Sequence, residues 1–168
     1  MFAVGDVVMY RRDLCKIIDF HKNEVNKEMY YVLEPLEEAA TKTKIQVPVA
    51  NRAKHLRELI TKEEIDNLIH KAPDLEPIQT RASNLKNEYI SLLNSGSQED
   101  LLRIIKTTYL KNKERLSSKK KVGMVDESYF QEAEKCLYTE LGYVLHMNTD
   151  EIRMYLCQEI EKACKENK

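Results

Sequence analysis

Basic side chains are concentrated in one segment of this chain, between residues 103 and 121. The segment holds eight lysines and arginines against one acid, Glu114, a net charge of +7, whereas the whole 168-residue chain carries −1. Such a local field attracts phosphates, in contacts that depend on salt and read little sequence. Two interpretations follow, a nucleic-acid contact or an ordinary solvated helix face. The bases are Arg103, Lys106, Lys111, Lys113, Arg115, Lys119, Lys120 and Lys121.

Residues that could ligate a metal or act as nucleophiles are scattered along the chain. No histidine has a second His or Cys three or four residues later, and no cysteines form a C-x-x-C pair. Glycine-rich phosphate loops and G-x-S-x-G are absent from the sequence. We therefore predict no catalytic residue, no metal and no cofactor, although a Cys–His pair assembled by the fold is an open alternative. The cysteines are expected to be reduced and mostly buried, including Cys157 and Cys164 on one helix face.

Short β-rich runs occupy the first fifty residues, at 7–11, 14–20, 29–33 and 44–49. In the fourth run Ile45, Val47 and Val49 alternate onto one face. This pattern predicts a small Tudor- or SH3-like antiparallel β barrel over residues 1–55. Its rings could form an aromatic cage for methylated side chains or could pack in the core, and they are Tyr10, Phe20, Tyr30 and Tyr31.

Residues 56–168 show helical periodicity and predict an all-α domain of about five helices, so the fold class is α+β with two domains. Capping patterns place helix starts after Thr61, Ser97 and Asn148. In the helix after Ser97, Leu101, Ile105, Tyr109 and Leu116 are expected to face inward, with Arg103, Lys106 and Lys113 beside them. No run approaches the roughly 20 apolar residues of a membrane span, and no secretory signal is visible, so we expect a cytoplasmic protein.

Several motifs, taken in order, resemble the CarD family of bacterial transcription regulators. The resemblance covers nearly the whole chain, and the order and spacing of the motifs make it specific. The matching segments are Phe2–Tyr10 (FAVGDVVMY), Tyr30–Leu33 (YYVL), Ile45–Asn51 (IQVPVAN), Leu92–Ser97 (LLNSGS) and Leu101–Arg115.

The resemblance implies that the N-terminal domain, similar to the polymerase-binding module of transcription-repair coupling factors, binds the β subunit of RNA polymerase. The helical domain would then contact promoter DNA at the upstream edge of the bubble and stabilise the open complex without catalysis. The family's tryptophan wedge falls near Ala82 here, and the chain has no tryptophan. Gln46 replaces a basic residue that faces polymerase in the family. The glycine that follows the first strand in the family has no counterpart after Tyr10, and acidic Asp126 lies where the family has basic residues.

Two hypotheses follow from these features. In the first, a monomeric, nucleoid-associated regulator docks on polymerase by strand pairing with Lys44 and Gln46 at the interface and touches DNA phosphates non-specifically. The DNA contacts would be Arg81, Lys86, Arg103, Lys106 and Lys113. In the second, the same fold is a protein-interaction adaptor that has lost DNA contact, as the missing tryptophan and acidic last helices suggest. An enzyme, the third class, would need a pocket of converging polar groups.

Overall fold

The computed structural model describes residues 1–37 and 43–166 and divides the chain into two compact units, Met1–Leu59 and Ile60–Lys168. The first unit is an antiparallel sheet and the second is helical. The chain therefore has an α+β fold, as the sequence predicted. The division follows Leu59 rather than residue 55 because Leu56 and Arg57 form a fifth strand of the sheet.

The described residues of the first unit form five strands in the order β4-β3-β2-β1-β5, so β4 and β5 are the outer strands. No pairing between these two closes the sheet within the described ranges, and the predicted barrel is not seen. Alternation of buried and exposed residues sets the inner face, where Val47 is buried with Ile45 and Val49 packed beside it. The strands are β1 Val7–Tyr10, β2 Asp13–Lys22, β3 Met29–Pro35, β4 Ile45–Pro48 and β5 Leu56–Arg57.

A bulge in β2 keeps its apolar side chains on one face. Ile17 pairs with Leu33 and Asp19 pairs with Val32, which leaves Ile18 as the extra residue. Strict alternation would place Phe20 on the face opposite Ile17, but the inserted residue reverses the parity. Phe20 consequently joins Ile17 in the core of the sheet.

The second unit contains five α-helices and one 3-10 turn between residues 60 and 166. Their starts follow local capping chemistry: Thr61 and Glu64 form a capping box, and the Asn148 side chain accepts from the Glu151 amide at 2.9 Å. The helices are α1 Lys62–Lys71, α2 Leu85–Ser95, α3 Gln98–Ser117, α4 Met124–Leu145 and α5 Thr149–Glu166, with the 3-10 turn at Ala72–Asp74.

The prediction of the inner face of α3 is right at its start and wrong at its end. Leu101 is buried and Ile105 packs against the core, but Tyr109 and Leu116 are 57% and 61% exposed. Helical spacing alone predicts a stripe without saying how far the partner helix covers it. Next to Tyr109, the residue of α3 that faces the core is Thr108, which is buried and whose hydroxyl donates a hydrogen bond to the Ile104 carbonyl.

The cysteines divide evenly between core and surface. Cys15 and Cys136 are buried, whereas Cys157 and Cys164 are exposed, so the expectation of two buried thiols on α5 is wrong. Burial and the nearby charge of Asp13 raise the pKa of Cys15 to about 12. Its thiol is therefore neutral and acts as a small apolar side chain of the sheet core.

Candidate functional site

The outer side of β4 is a candidate docking edge in the first unit. The Val49 amide donates to the Met29 carbonyl at 2.9 Å, so Val49 is a hydrogen-bonded partner of β3. Hydrogen-bonded positions alternate along an antiparallel ladder, which makes Val47 and Ile45 the next inward-bonding residues. The backbone N–H and C=O of Gln46 consequently point away from β3, toward the outer side of the sheet.

Two side chains at this edge are polar and exposed. Lys44 and Gln46, the predicted polymerase contacts, are both exposed, and no described strand pairs with the outer side of β4. Pro48 stands in the same strand, where its lack of an N–H costs no ladder bond because its backbone also faces outward. The described part of this edge can therefore accept a further strand through Gln46.

The aromatic side chains of the sheet do not converge into a cage. Tyr31 is buried between Phe2 and Phe20, with ring centroids 5.9 and 5.2 Å away. Tyr30 lies on the opposite face and stacks on His21 at 5.7 Å. The rings thus serve the core and one sheet face, which favours the packing interpretation over recognition of methylated side chains.

In the helical unit, Lys106 is engaged by backbone carbonyls. Its Nζ donates to the carbonyl oxygens of Ala72, Pro73 and Leu75 at 3.1, 2.8 and 2.7 Å. An ammonium has three donors, and here three carbonyls at the end of α1 and its 3-10 turn accept from it. Lys106 therefore stabilises a helix end, as a cation at a C-terminus does.

Arg103 is likewise turned toward its own fold. Its Nε donates to the Glu76 carbonyl at 3.2 Å, and Nη1 lies 3.8 Å from the Asp100 carboxylate. The side chain is 32% exposed, so part of the guanidinium faces solvent. Arg103 fixes the segment after the 3-10 turn against α3 and retains a partly accessible charge.

Asp126 gathers two further bases of the basic segment. This buried carboxylate accepts from the Tyr89 hydroxyl at 2.8 Å and from Lys111 at 3.2 Å, and it lies 3.6 Å from Arg115. Burial, and then the hydrogen bond to Asp126, raise the pKa of Tyr89, so its hydroxyl is a proton donor at neutral pH. The cluster joins α2, α3 and α4, and four of the eight bases between 103 and 121 are now assigned contacts within the unit.

Sequence reasoning missed this cluster because its members are up to 37 positions apart. The sequence signal was a pair of acids, Asp126 and Glu127, which follows the basic segment within a few residues and lies in the first turn of a helix. The remaining bases of the segment, Lys113 and Lys119–Lys121, are exposed and form no ion pair with any described residue.

Arg81 and Ala82 lie just before α2 and Lys86 is its second residue, and all three are exposed. The α2 N-cap, Asn84, makes no side-chain capping hydrogen bond, so the first-turn amides have no capping side chain, although the Leu85 amide donates to the Ala82 carbonyl at 3.4 Å. An open depression of about 640 Å³ adjoins this helix start and is lined by Gln79, Thr80, Arg81 and Asn84. Amides, amide side chains and a guanidinium are groups that bind phosphate oxygens.

A second buried acid holds the start of the helical unit. Glu140 on α4 accepts from the Ile60 amide at 2.9 Å and from the Gln98 side chain at 3.2 Å through each carboxylate oxygen. It thereby fixes the segment before α1 and the first residue of α3 against α4. The role of Glu140 is structural, because Ile60 lies two residues before α1 and Gln98 is the first residue of α3.

Other site types find no arrangement in the described residues. Within 1–37 and 43–166, no three His, Cys, Asp or Glu side chains are grouped as metal ligands. None of the described helices combines the length and apolar character needed to cross a bilayer. The chain matches no protein-family model and no curated protein sequence.

Proposed function

We propose that this chain is a cytoplasmic, non-catalytic transcription regulator of the CarD kind. Its sheet unit, a divergent Tudor-like module, binds the RNA polymerase β subunit, and its helical unit touches promoter DNA to stabilise the open complex. The observation that carries the proposal is the outer side of β4, where the Gln46 backbone faces outward and the side chains of Lys44 and Gln46 are exposed. The motif resemblance of residues 2–10, 30–33 and 45–51 supports the same partner.

Within this proposal, the bases that already have partners in the helical unit are weaker candidates for DNA contact. Lys106 is left out because its three donors have carbonyl acceptors, and Arg103 is retained as a minor contact because it is only partly exposed. Arg81, Lys86 and Lys113 are exposed and form no ion pair with described residues. Ala82, the wedge position, is exposed but offers only a methyl group, so this site supplies phosphate affinity rather than pressure on a base step.

The docking mode is tested with purified polymerase β subunit and two variants at one position. Gln46→Pro removes the outward N–H, and Gln46→Ala removes the side chain but keeps that donor. If a strand adds to this edge, Gln46→Pro abolishes capture of the β subunit and Gln46→Ala retains most of it. Equal capture by the wild-type chain and both variants, with unchanged melting temperature, would refute docking by strand addition.

An adaptor without DNA contact is the second candidate. The specific observation in its favour is that Lys106, Lys111 and Arg115 are used inside the helical unit, which reduces the accessible charge. Fluorescence anisotropy with a labelled duplex separates the two candidates. Binding that weakens steeply with salt supports the regulator, whereas capture of the β subunit with no DNA binding at low salt supports the adaptor.

A further inference from the structure

The turn that joins α3 to α4 combines positive charge with exposed apolar side chains. We define the α3–α4 tip as residues 116–125, which include three consecutive lysines, Lys119–Lys121, and no acid. All three lysines are exposed and none forms an ion pair with a described residue. The tip therefore presents uncompensated positive charge that suits a polyanion.

Three apolar side chains project from the same ten residues. Leu116 is 61% exposed, Met124 is 89% exposed and Val125 is 52% exposed. A single exposed apolar residue is ordinary on a protein surface. Here three exposed apolar side chains and three exposed lysines occur within ten residues, so the tip offers both apolar and positively charged groups to a partner. Proteins that insert Leu, Met or Phe between base steps combine such apolar wedges with basic side chains on the adjacent phosphates.

The base of the tip is fixed to the body of the helical unit. Arg115 pairs with buried Asp126, and a Cβ added at Gly123 would lie 2.6 Å from the Arg115 Nη1. The Lys120 amide donates to the Arg115 carbonyl at 2.8 Å. The guanidinium therefore lies directly over the Gly123 backbone, and contacts within the chain hold the base of the turn, which favours binding by reducing what must be ordered.

We propose that the α3–α4 tip binds double-stranded DNA, with Lys119–Lys121 on backbone phosphates and Leu116 and Met124 against the base steps. This inference rests on the proposed function and supplies the apolar contact that Ala82 cannot make. Lysine ammonium groups act as point charges and bind phosphates. A compact turn with three apolar side chains is a poor membrane anchor, which needs a long apolar helix face in the interface plane.

The electrostatic part is tested by anisotropy on the full chain across a salt series. The tip variant carries Lys119→Gln, Lys120→Gln and Lys121→Gln, and the matched control carries Lys16→Gln, Lys22→Gln and Lys165→Gln at exposed positions elsewhere. The tip variant should bind roughly ten-fold or more weakly at low salt, and its slope of log affinity against log salt should flatten by about 0.9 for each phosphate that the variant no longer neutralises. Equal weakening in the two triple variants would overturn the proposal.

The apolar part has a different signature. Leu116→Ser with Met124→Ser should weaken binding while leaving the salt slope unchanged, because these side chains release no counterions. Met154→Ser, at a residue 63% exposed on α5, is the control and should leave affinity unchanged. Unchanged affinity in the tip double variant would remove the wedge from the proposal.

Further outcomes separate this inference from the proposed function. If Arg81→Gln with Lys86→Gln abolishes duplex binding and the tip triple variant does not, the tip inference fails and the regulator stands. If the wild-type chain binds no duplex but captures the β subunit, the tip inference fails with the DNA half of the proposed function. Tip-dependent binding to anionic phosphatidylglycerol vesicles in place of DNA, or tip-dependent self-association in sedimentation, would also overturn it.

Discussion

Replacing Asp126 should destabilise the helical unit far more than its position in the first turn of a helix suggests. The side chain is 5% exposed and accepts from Tyr89 while it neutralises Lys111 and Arg115. In Asp126→Ala the buried Tyr89 hydroxyl loses its acceptor, at a cost of about 1–3 kcal/mol. The bases are 34% and 41% exposed, so each screened ion pair adds at most about 1 kcal/mol.

The total is about 3 kcal/mol, which corresponds to a fall in melting temperature of roughly 10 °C for a unit of this size. The helical band of the circular dichroism spectrum reports this unit selectively, because every described α-helix lies in it. Asp150→Ala is the matched control, since Asp150 also occupies the first turn of a helix but is 89% exposed. It should cost less than about 1 kcal/mol.

Two variants of the partner residue sharpen the measurement. Tyr89→Phe removes the donor, and the double variant with Asp126→Ala should be less destabilised than the sum of the single changes, because both delete the same hydrogen bond. Strictly additive effects, or equal destabilisation by Asp126→Ala and Asp150→Ala, would refute the assignment of Asp126 as the link between α2, α3 and α4.

Three further changes test local contacts by thermal melting. Gly142→Ala should destabilise by about 1–3 kcal/mol despite alanine's better helix propensity, because its Cβ would lie 2.6 Å from the Met147 carbonyl oxygen; an increase in stability would contradict this contact. Lys106→Met keeps the apolar stem but leaves three carbonyls without their donor, so it should cost about 1–2 kcal/mol, whereas the same change at an exposed lysine should cost almost nothing. Hydrogen bonds from the Thr61 amide, and then from its hydroxyl, lower the pKa of Glu64. The carboxylate therefore contributes fully to the stability of the fold above the ordinary glutamate pKa, and this contribution is lost as pH falls through the lower pKa of the folded state. Glu64→Gln should therefore flatten the acid side of the stability profile, and an unchanged profile would exclude the capping box as its source.

Helix starts were predictable from sequence because capping is local chemistry. Thr61 and Glu64, or Ser97 and Asp100, lie three residues apart, and their side chains reach amides of the same turn. Sheet alternation was predictable for the same reason at Ile45, Val47 and Val49. Each of these inferences needs only the dihedral preferences of a few neighbouring residues.

Features set by distant partners could not be predicted in this way. The bulge at Ile18 depends on the register between β2 and β3, and the pattern of β2 read alone gives no reason for it. Arg11 occupies the β1–β2 turn at a φ of 54°, a backbone conformation that glycine adopts without strain and that the arginine in the sequence did not indicate. The exposure of Tyr109 and Leu116 depends on which face of α3 meets α4, and the spacing of apolar residues within α3 does not encode that choice.

The charge of the basic segment shows why a count along the sequence differs from the charge that a partner meets. Lys111 and Arg115 are four residues apart and share the face of α3 that meets Asp126, while Tyr109, Lys113 and Leu116 share another face by their spacing of four and three. One face thus neutralises its charge to hold the helices together, and the other keeps its charge in solvent. Because Lys111 and Arg115 hold the base of the α3–α4 tip against α4, they also help to fix the position of Lys119–Lys121. A variant that frees Lys111 and Arg115 should consequently gain accessible charge yet lose the order of the α3–α4 tip, so net charge alone is a poor guide to its DNA affinity.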